Sequence, residues 1–342
     1  MRLRIFVTSR STPDVIDAFK DVQHQYLNLH KEHRDETATD LVTFLKQRFA
    51  DIRQKWGITD PWPEPKQLSR LVTLSTTPSP LFIYAATLCR FVSDQARRKD
   101  PVKQLRIWLQ QCDSNAPQLD QIYRPILHYA LFGTYDKSRT SEPLDEEERK
   151  ELFDILGTVV LGAIPLSCQA ISSLLSVPEY RVNLRLRDFH AVLSVPHTHD
   201  RSVQLLHKSF SDFPLSQEGS GSNDYRLNAE ETHALLATKC IQRMQKGLKQ
   251  DICDIQKPGT SRDDISQEDI HGHIPADLRY ACLHWVYHLK RSGRGMHDDV
   301  IAFLHKHFLY WLEALSLLGR LSDGALALMK LRKMIEVSRV SI

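Results

Sequence analysis

With 342 residues, 42% of them hydrophobic and 25% charged, the chain is long enough for two or three domains and a sizeable core. A formal charge of +3 excludes a disordered acidic tail and a protein that coats nucleic acid through net charge. Cys89, Cys112, Cys168, Cys240, Cys253 and Cys282 show no C-x-x-C spacing, which points to reduced thiols in a cytoplasmic chain and not to a disulfide scaffold.

In chain order, residues 3 to 8 form a mostly apolar run that reads as a strand ending in Ser9 and Arg10. This run is too short for a signal-peptide core. A second strand is expected over Gln25 to Leu29. From Thr39 helical periodicity takes over: Leu41, Phe44, Leu45, Phe49, Ile52 and Trp56 recur three or four apart and make one apolar face. The loop Pro61-Trp62-Pro63-Glu64-Pro65 cannot propagate that helix, and KQLSRLVTLS and PLFIYAATLCRFVSDQ follow it as two more. Leu105 to Gln111 and Leu119 to Leu131 read as further helices.

A second region opens at Leu144 with DEEERKELF, acidic in its first turn as the helix macrodipole prefers. The uncharged stretch Ile155 to Val177 is broken by Pro165 and wetted by Ser167, Gln169, Ser172, Ser173 and Ser176, so two buried helices are expected there and not a membrane span. A third helix, EYRVNLRLRDFH, precedes two short strand-like pieces, Ala191 to Val195 and Ser202 to Leu206. Three helices and a two-stranded wing are a winged-helix order. The flexible QEGSGSN marks a boundary, and beyond it Ala229 to Met244, Ala276 to Lys290, Val300 to Leu318 and Asp323 to Ile335 read as helices, with a polar connector over 254 to 274.

RIFVTSR (4 to 10), Trp62-Pro63-Glu64 with LFIYAATLCRF, LGTVVLGAIPLS (156 to 167), AVLSVP with VQLLHKSFSDF (203 to 213), and LRYACLHWVYHL with FLYWLEALSLLGR stand in this order along the chain. Together they resemble the fungal NACHT-type STAND NTPases, the NLR-like architecture of incompatibility and innate-immunity receptors. The resemblance implies a mainly α fold with four parts: a remnant of a P-loop α/β sheet (1–34), a helical domain (35–141), a winged-helix domain (142–216) and a C-terminal helical domain (217–342). It also implies three nucleotide contacts. Arg10, at the end of the sensor strand, would reach the terminal phosphate; Pro80 would lie beside the nucleotide; and His207, opening H-x-S-F-x-D-F, would reach the diphosphate of ADP. A permanently charged guanidinium and a histidine donor both suit phosphate oxygens. Other readings make Arg10 a surface residue and His207 a helix-start histidine satisfied by backbone.

The chain has no G-x-x-x-x-G-K-[ST] loop and no acidic cluster after a hydrophobic strand for Mg²⁺. Ser11 follows Arg10 where the family usually has proline, and PSPLFIYA lacks a glycine common before LFIYA. The expectation is a truncated or degenerate signalling module, without intrinsic ATPase activity, that works through protein partners or self-association. It would have no catalytic residue, no resident cofactor and no membrane or nucleic-acid partner, with ATP or ADP bound only if a P-loop is supplied by further sequence or by a partner. The alternative is a clipped gene product of an ATP-driven receptor. A third reading is a DNA-binding winged helix with Arg181, Arg185 and Arg187 on its third helix, although Glu179 and Asp188 interrupt that charge. His284 and His288 share a helix face, but HWVYH lacks the glutamate of H-E-x-x-H, so no zinc site is expected.

Overall fold

The computed structural model describes residues 4–9, 13–27, 32–94, 99–112, 116–133, 143–196, 198, 201–215, 225–257, 259–294 and 298–340. Arg10, His297 and the QEGSGSN stretch lie outside them. Among these residues the fold is mainly α, with fifteen α-helices and one two-stranded sheet. No helix among them is long and apolar enough to cross a membrane.

The first block comprises α1 (Pro13–Phe19), α2 (Arg34–Trp56), α3 (Pro65–Thr76), α4 (Phe82–Val92), α5 (Pro101–Gln111) and α6 (Gln118–Phe132). The periodic face expected for α2 is the one it buries, through Leu41, Leu45, Phe49 and Ile52. The helix itself begins earlier, at Arg34, and stops at Gly57, whose φ of 63° needs a residue without a Cβ penalty. α3 starts with Pro65 at its first position, behind a capping box of Glu64 and Gln67. α6 is buried on nearly all sides and forms the centre of the block.

Neither expected N-terminal strand is found among the described residues. Residues 4 to 9 and 23 to 27 belong to no helix or ladder, and Ile5 and Phe6 are 76% and 90% exposed. A strand satisfies its backbone groups only through a neighbour, and the described residues offer no sheet there to join. Among the described residues of 1–34 the structure shows the short helix α1, which has no buried residues, the start of α2 at Arg34 and no strand, and Leu3, Asn28 and Leu29 of the two expected strands lie outside the described residues.

The next block follows the expected order: α7 (Glu146–Leu161), α8 (Cys168–Leu175), α9 (Glu179–Leu186), β1 (Leu193–Ser194), β2 (Gln204–Leu205) and α10 (Ser209–Asp212). β1 and β2 pair antiparallel, with Leu193 opposite Leu205. Asp145 and Glu148 form a capping box on α7, and Ser167 caps α8 by accepting from the Ala170 N–H. Gly157, inside α7, lies against Thr232, where an added Cβ would come within 2.7 Å of Thr232 Cγ2.

The last block holds α11 (Ala229–Gly247), α12 (Gln267–His273), α13 (Ala276–Arg291), α14 (Asp298–Leu317) and α15 (Leu321–Val340). α11 and α13 pack along their length. Trp285 meets Phe303 and Trp311 edge-on at 5.6 and 5.8 Å, which pins α14 to α13. All six cysteines are free and buried. Burial pushes the Cys89 and Cys282 thiols up to about 12, which removes them from thiolate chemistry.

Candidate functional site

α6 carries two of the expected site residues indirectly. Its Gln118 amide donates to the carbonyls of Leu74 and Ser79 at 2.9 and 3.0 Å, fixing the segment that leads to the buried Pro80. Five residues on, the fully buried Tyr123 lies 2.5 Å from the Ser209 hydroxyl, which in turn lies 2.5 Å from His207 Nδ1. The Ser209 N–H donates to the same ring nitrogen at 3.2 Å. Nδ1 is thus the acceptor, the Ser209 O–H donates to it, and the Tyr123 O–H donates to Ser209. The chain runs one way, and it leaves the neutral imidazole with its proton on Nε2.

Phe210 and Phe213 close around Tyr123, with ring centroids 5.2 and 5.7 Å away. Burial raises the Tyr123 phenol above its ordinary range while the Ser209 hydrogen bond opposes the rise, so the ring stays a neutral donor. Tyr123→Phe keeps the ring and removes that donor. It should cost about 1 kcal/mol in stability while Ser209 keeps His207 Nδ1 an acceptor, so the tautomer is unchanged. Thermal unfolding together with the ring-nitrogen resonances of His207 checks both effects.

A second set of contacts joins the same two blocks. Lys99 Nζ is 3.0 Å from Asp188 and 3.8 Å above the ring of Tyr129 on α6. His190 Nε2–H donates to the Arg90 carbonyl at 3.0 Å, with the buried Asp94 carboxylate 3.9 Å away.

The arginines of α9 divide. Arg185 is 7% exposed at its side chain, with Nε 2.9 Å from Glu151 and a terminal nitrogen 2.8 Å from Glu148 on α7. Arg181 reaches Glu151 at 2.8 Å, and Arg187 stays on the surface. Two of the three cations expected to grip phosphates are thus committed to α7. The outward face of α9 shows Tyr180 and Leu184 instead.

Among the described residues no group of three or more potential metal ligands occurs. His288 sits in a hydrogen-bonded row instead. The Ala163 N–H donates to the Tyr280 oxygen at 3.0 Å, the Tyr280 O–H donates to His288 Nε2 at 2.6 Å, and His288 Nδ1 meets His233 Nδ1 at 2.8 Å. Burial, reinforced by His233, His284 and Arg291, holds His288 down at about 3, so it remains neutral.

Of the three resemblance-based contacts, Pro80 and His207 are placed beside α6 and Arg10 falls outside the described residues. Gln118, Tyr123, Ser209 and Lys99 were not found from sequence. Only Ser209 had a signal, as the serine of H-x-S-F-x-D-F.

No family model matches the chain, and no solved structure matches it. Vegetative incompatibility protein HET-E-1 of Podospora anserina is 21% identical over an alignment of 363 residues. The match covers 97% of this chain and 24% of that protein, so the chain spans about a quarter of the relative's length. The chain is a distant relative of a fungal incompatibility protein, in keeping at family level with the resemblance its motifs carry.

Proposed function

We propose that the chain is the regulatory, largely helical part of a NACHT-type STAND switch, a signalling module that acts through protein contacts and hydrolyses no ATP by itself. The observation that carries this reading is the one-way chain from Tyr123 through Ser209 to His207. It ties the block that follows α6 to α6 itself and fixes the orientation of the His207 ring. In this reading α7 to α10 form the winged helix, His207 and Arg10 are phosphate contacts, and Pro80 flanks the nucleotide. All three serve only where a P-loop is supplied by further sequence or by a partner, because phosphoryl transfer rests on positioned phosphates and Mg²⁺. Incompatibility, the property in the name of the distant relative, fits a module of this kind.

The commitment of Arg181 and Arg185 to Glu148 and Glu151 supports an internal joint over a DNA-reading helix, since paired guanidiniums are not free for phosphates. The test is direct: purified chain incubated with ATP and Mg²⁺ should release no phosphate above background. Saturable hydrolysis that Arg10→Ala abolishes would overturn the reading.

A further inference from the structure

Ala163, just beyond α7, Tyr280 and His288 of α13, and His233 of α11 stand in one row, and the number of hydrogens in that row limits what it tolerates. The Ala163 N–H meets the Tyr280 oxygen at 3.0 Å, that oxygen meets His288 Nε2 at 2.6 Å, and the Nδ1 atoms of His288 and His233 are 2.8 Å apart. With both rings neutral, each link holds one hydrogen. Tyr280, His288 and His233 are 1%, 0% and 3% exposed, so bulk water replaces none of these bonds.

A further proton has no good place. If it enters on His233, that ring donates to His288, His288 must donate to Tyr280, and the Tyr280 O–H is turned out of the row. It cannot turn to Ala163, whose N–H is itself a donor there. A second proton sets two N–H groups against each other across 2.8 Å. Either state strands a buried polar hydrogen.

The surroundings add no relief. Burial keeps both rings neutral; among the described residues His233, His284 and Arg291 also act on His288, and Arg291 acts on His233, all against an added positive charge. Cys240 and Tyr287 act on Tyr280, and Arg320 and Asp323 act on His284 from the end of α14 and the start of α15. Cys168, the titratable residue of α8, is buried.

The row also holds a loop. Residues 162 to 166 carry no titratable side chain and belong to no helix, and Ile164 among them is 48% exposed. One end hangs on Tyr280 through Ala163, and at the other the Leu166 carbonyl accepts from the Val203 N–H, next to β2, at 2.8 Å. The loop can therefore leave α13 while it stays on the wing.

We propose that this row is an acid-operated latch: a proton taken up between His233 and His288 frees residues 162 to 166 from α13 and admits water to the row, while the rest of the chain stays folded. In the open state the imidazoles recover an ordinary value near 6.5, so opening binds protons and is favoured as pH falls below about 6.5. From about pH 7.5 to about pH 5.5 the opening equilibrium should rise about tenfold for one imidazole and up to about a hundredfold for both.

The test is amide hydrogen exchange of the full chain at about pH 7.5, 6.5 and 5.5, corrected for the intrinsic pH dependence of exchange and repeated in dilute urea. The Ala163 amide should lose protection by about tenfold or more across this range and ignore the urea, whereas amides at the centre of α6 should respond to it. Tyr280→Phe should leave Ala163 unprotected already at about pH 7.5. His288→Gln, which keeps an acceptor for Tyr280 and a donor for His233, should flatten the pH dependence. Protection of Ala163 that is constant with pH, that survives Tyr280→Phe, or that keeps the parent's pH dependence in His288→Gln overturns the proposal. Exchange at Ala163 that rises with urea as steeply as in α6 also overturns it, because the opening is then unfolding of the whole chain.

Discussion

Glu151→Ala should lower the unfolding free energy by about 3 kcal/mol, the scale for breaking a buried ion pair by removing one partner. Glu151 is 9% exposed and holds two guanidiniums, Arg181 at 2.8 Å and Arg185 at 2.9 Å. Arg181, 30% exposed, can turn to water when the carboxylate goes. Arg185 cannot, and it keeps only its contact with Glu148. The cost comes from the stranded charge and not from the strength of the pair. Glu151→Leu combined with Arg185→Met should therefore recover most of the loss. Urea unfolding distinguishes the cases: the single variant shifts the midpoint with little change in slope, and the double variant lies close to the parent. A single-variant loss below about 0.5 kcal/mol, the range of ordinary surface substitutions, would show that Arg185 is not held as described.

The second large effect is acid lability. His288 is held at about 3 in the fold, against an ordinary histidine value of 6.5. Burial of His233 lowers it too. Below about pH 6.5 the unfolded chain binds protons that these folded imidazoles refuse, so the unfolded state carries more protons and stability falls as pH falls. The contribution is complete above about 6.5 and is lost progressively toward about 3, at about 1.4 kcal/mol per pH unit for a fully refused proton. His288→Gln keeps an acceptor for Tyr280 and a donor for His233 while removing the titrating group. Its stability should be lower at pH 7.5 but flatter between about pH 6 and 4. A slope identical to that of the parent would remove His288 as the cause.

How much of this was legible from sequence depended on how local each feature is. The apolar spacing of α2, the acidic first turn of α7 and the serine before α8 are written within a few residues of where they act, and the helices appear there. The N-terminal strands, absent among the described residues, failed for the opposite reason. Ile5, Phe6 and Val7 have strong strand preferences, yet a ladder needs a neighbour that no local pattern specifies. α12 was taken for part of a polar connector because only Ile270 in it is buried, although Ser266 accepting from the Asp269 N–H is a local cap. At the site, His207 was reached through family resemblance alone. Its support from Tyr123 spans 86 positions and had no sequence signal, and the pairing of Arg185 with Glu151 spans 34.

The close seat of Gly157 on Thr232 has a mechanical meaning. Gly157 brings the backbone of α7 directly onto the Thr232 side chain of α11, and the Ala163 to Tyr280 hydrogen bond ties the end of α7 to α13. Displacement of the α7 to α10 block would therefore load the C-terminal helices through these two contacts. Against α4 and α6 the same block is held by the Tyr123, Phe210 and Phe213 rings as well as by Lys99, His190 and Ser209, so its release there would break aromatic packing along with hydrogen bonds.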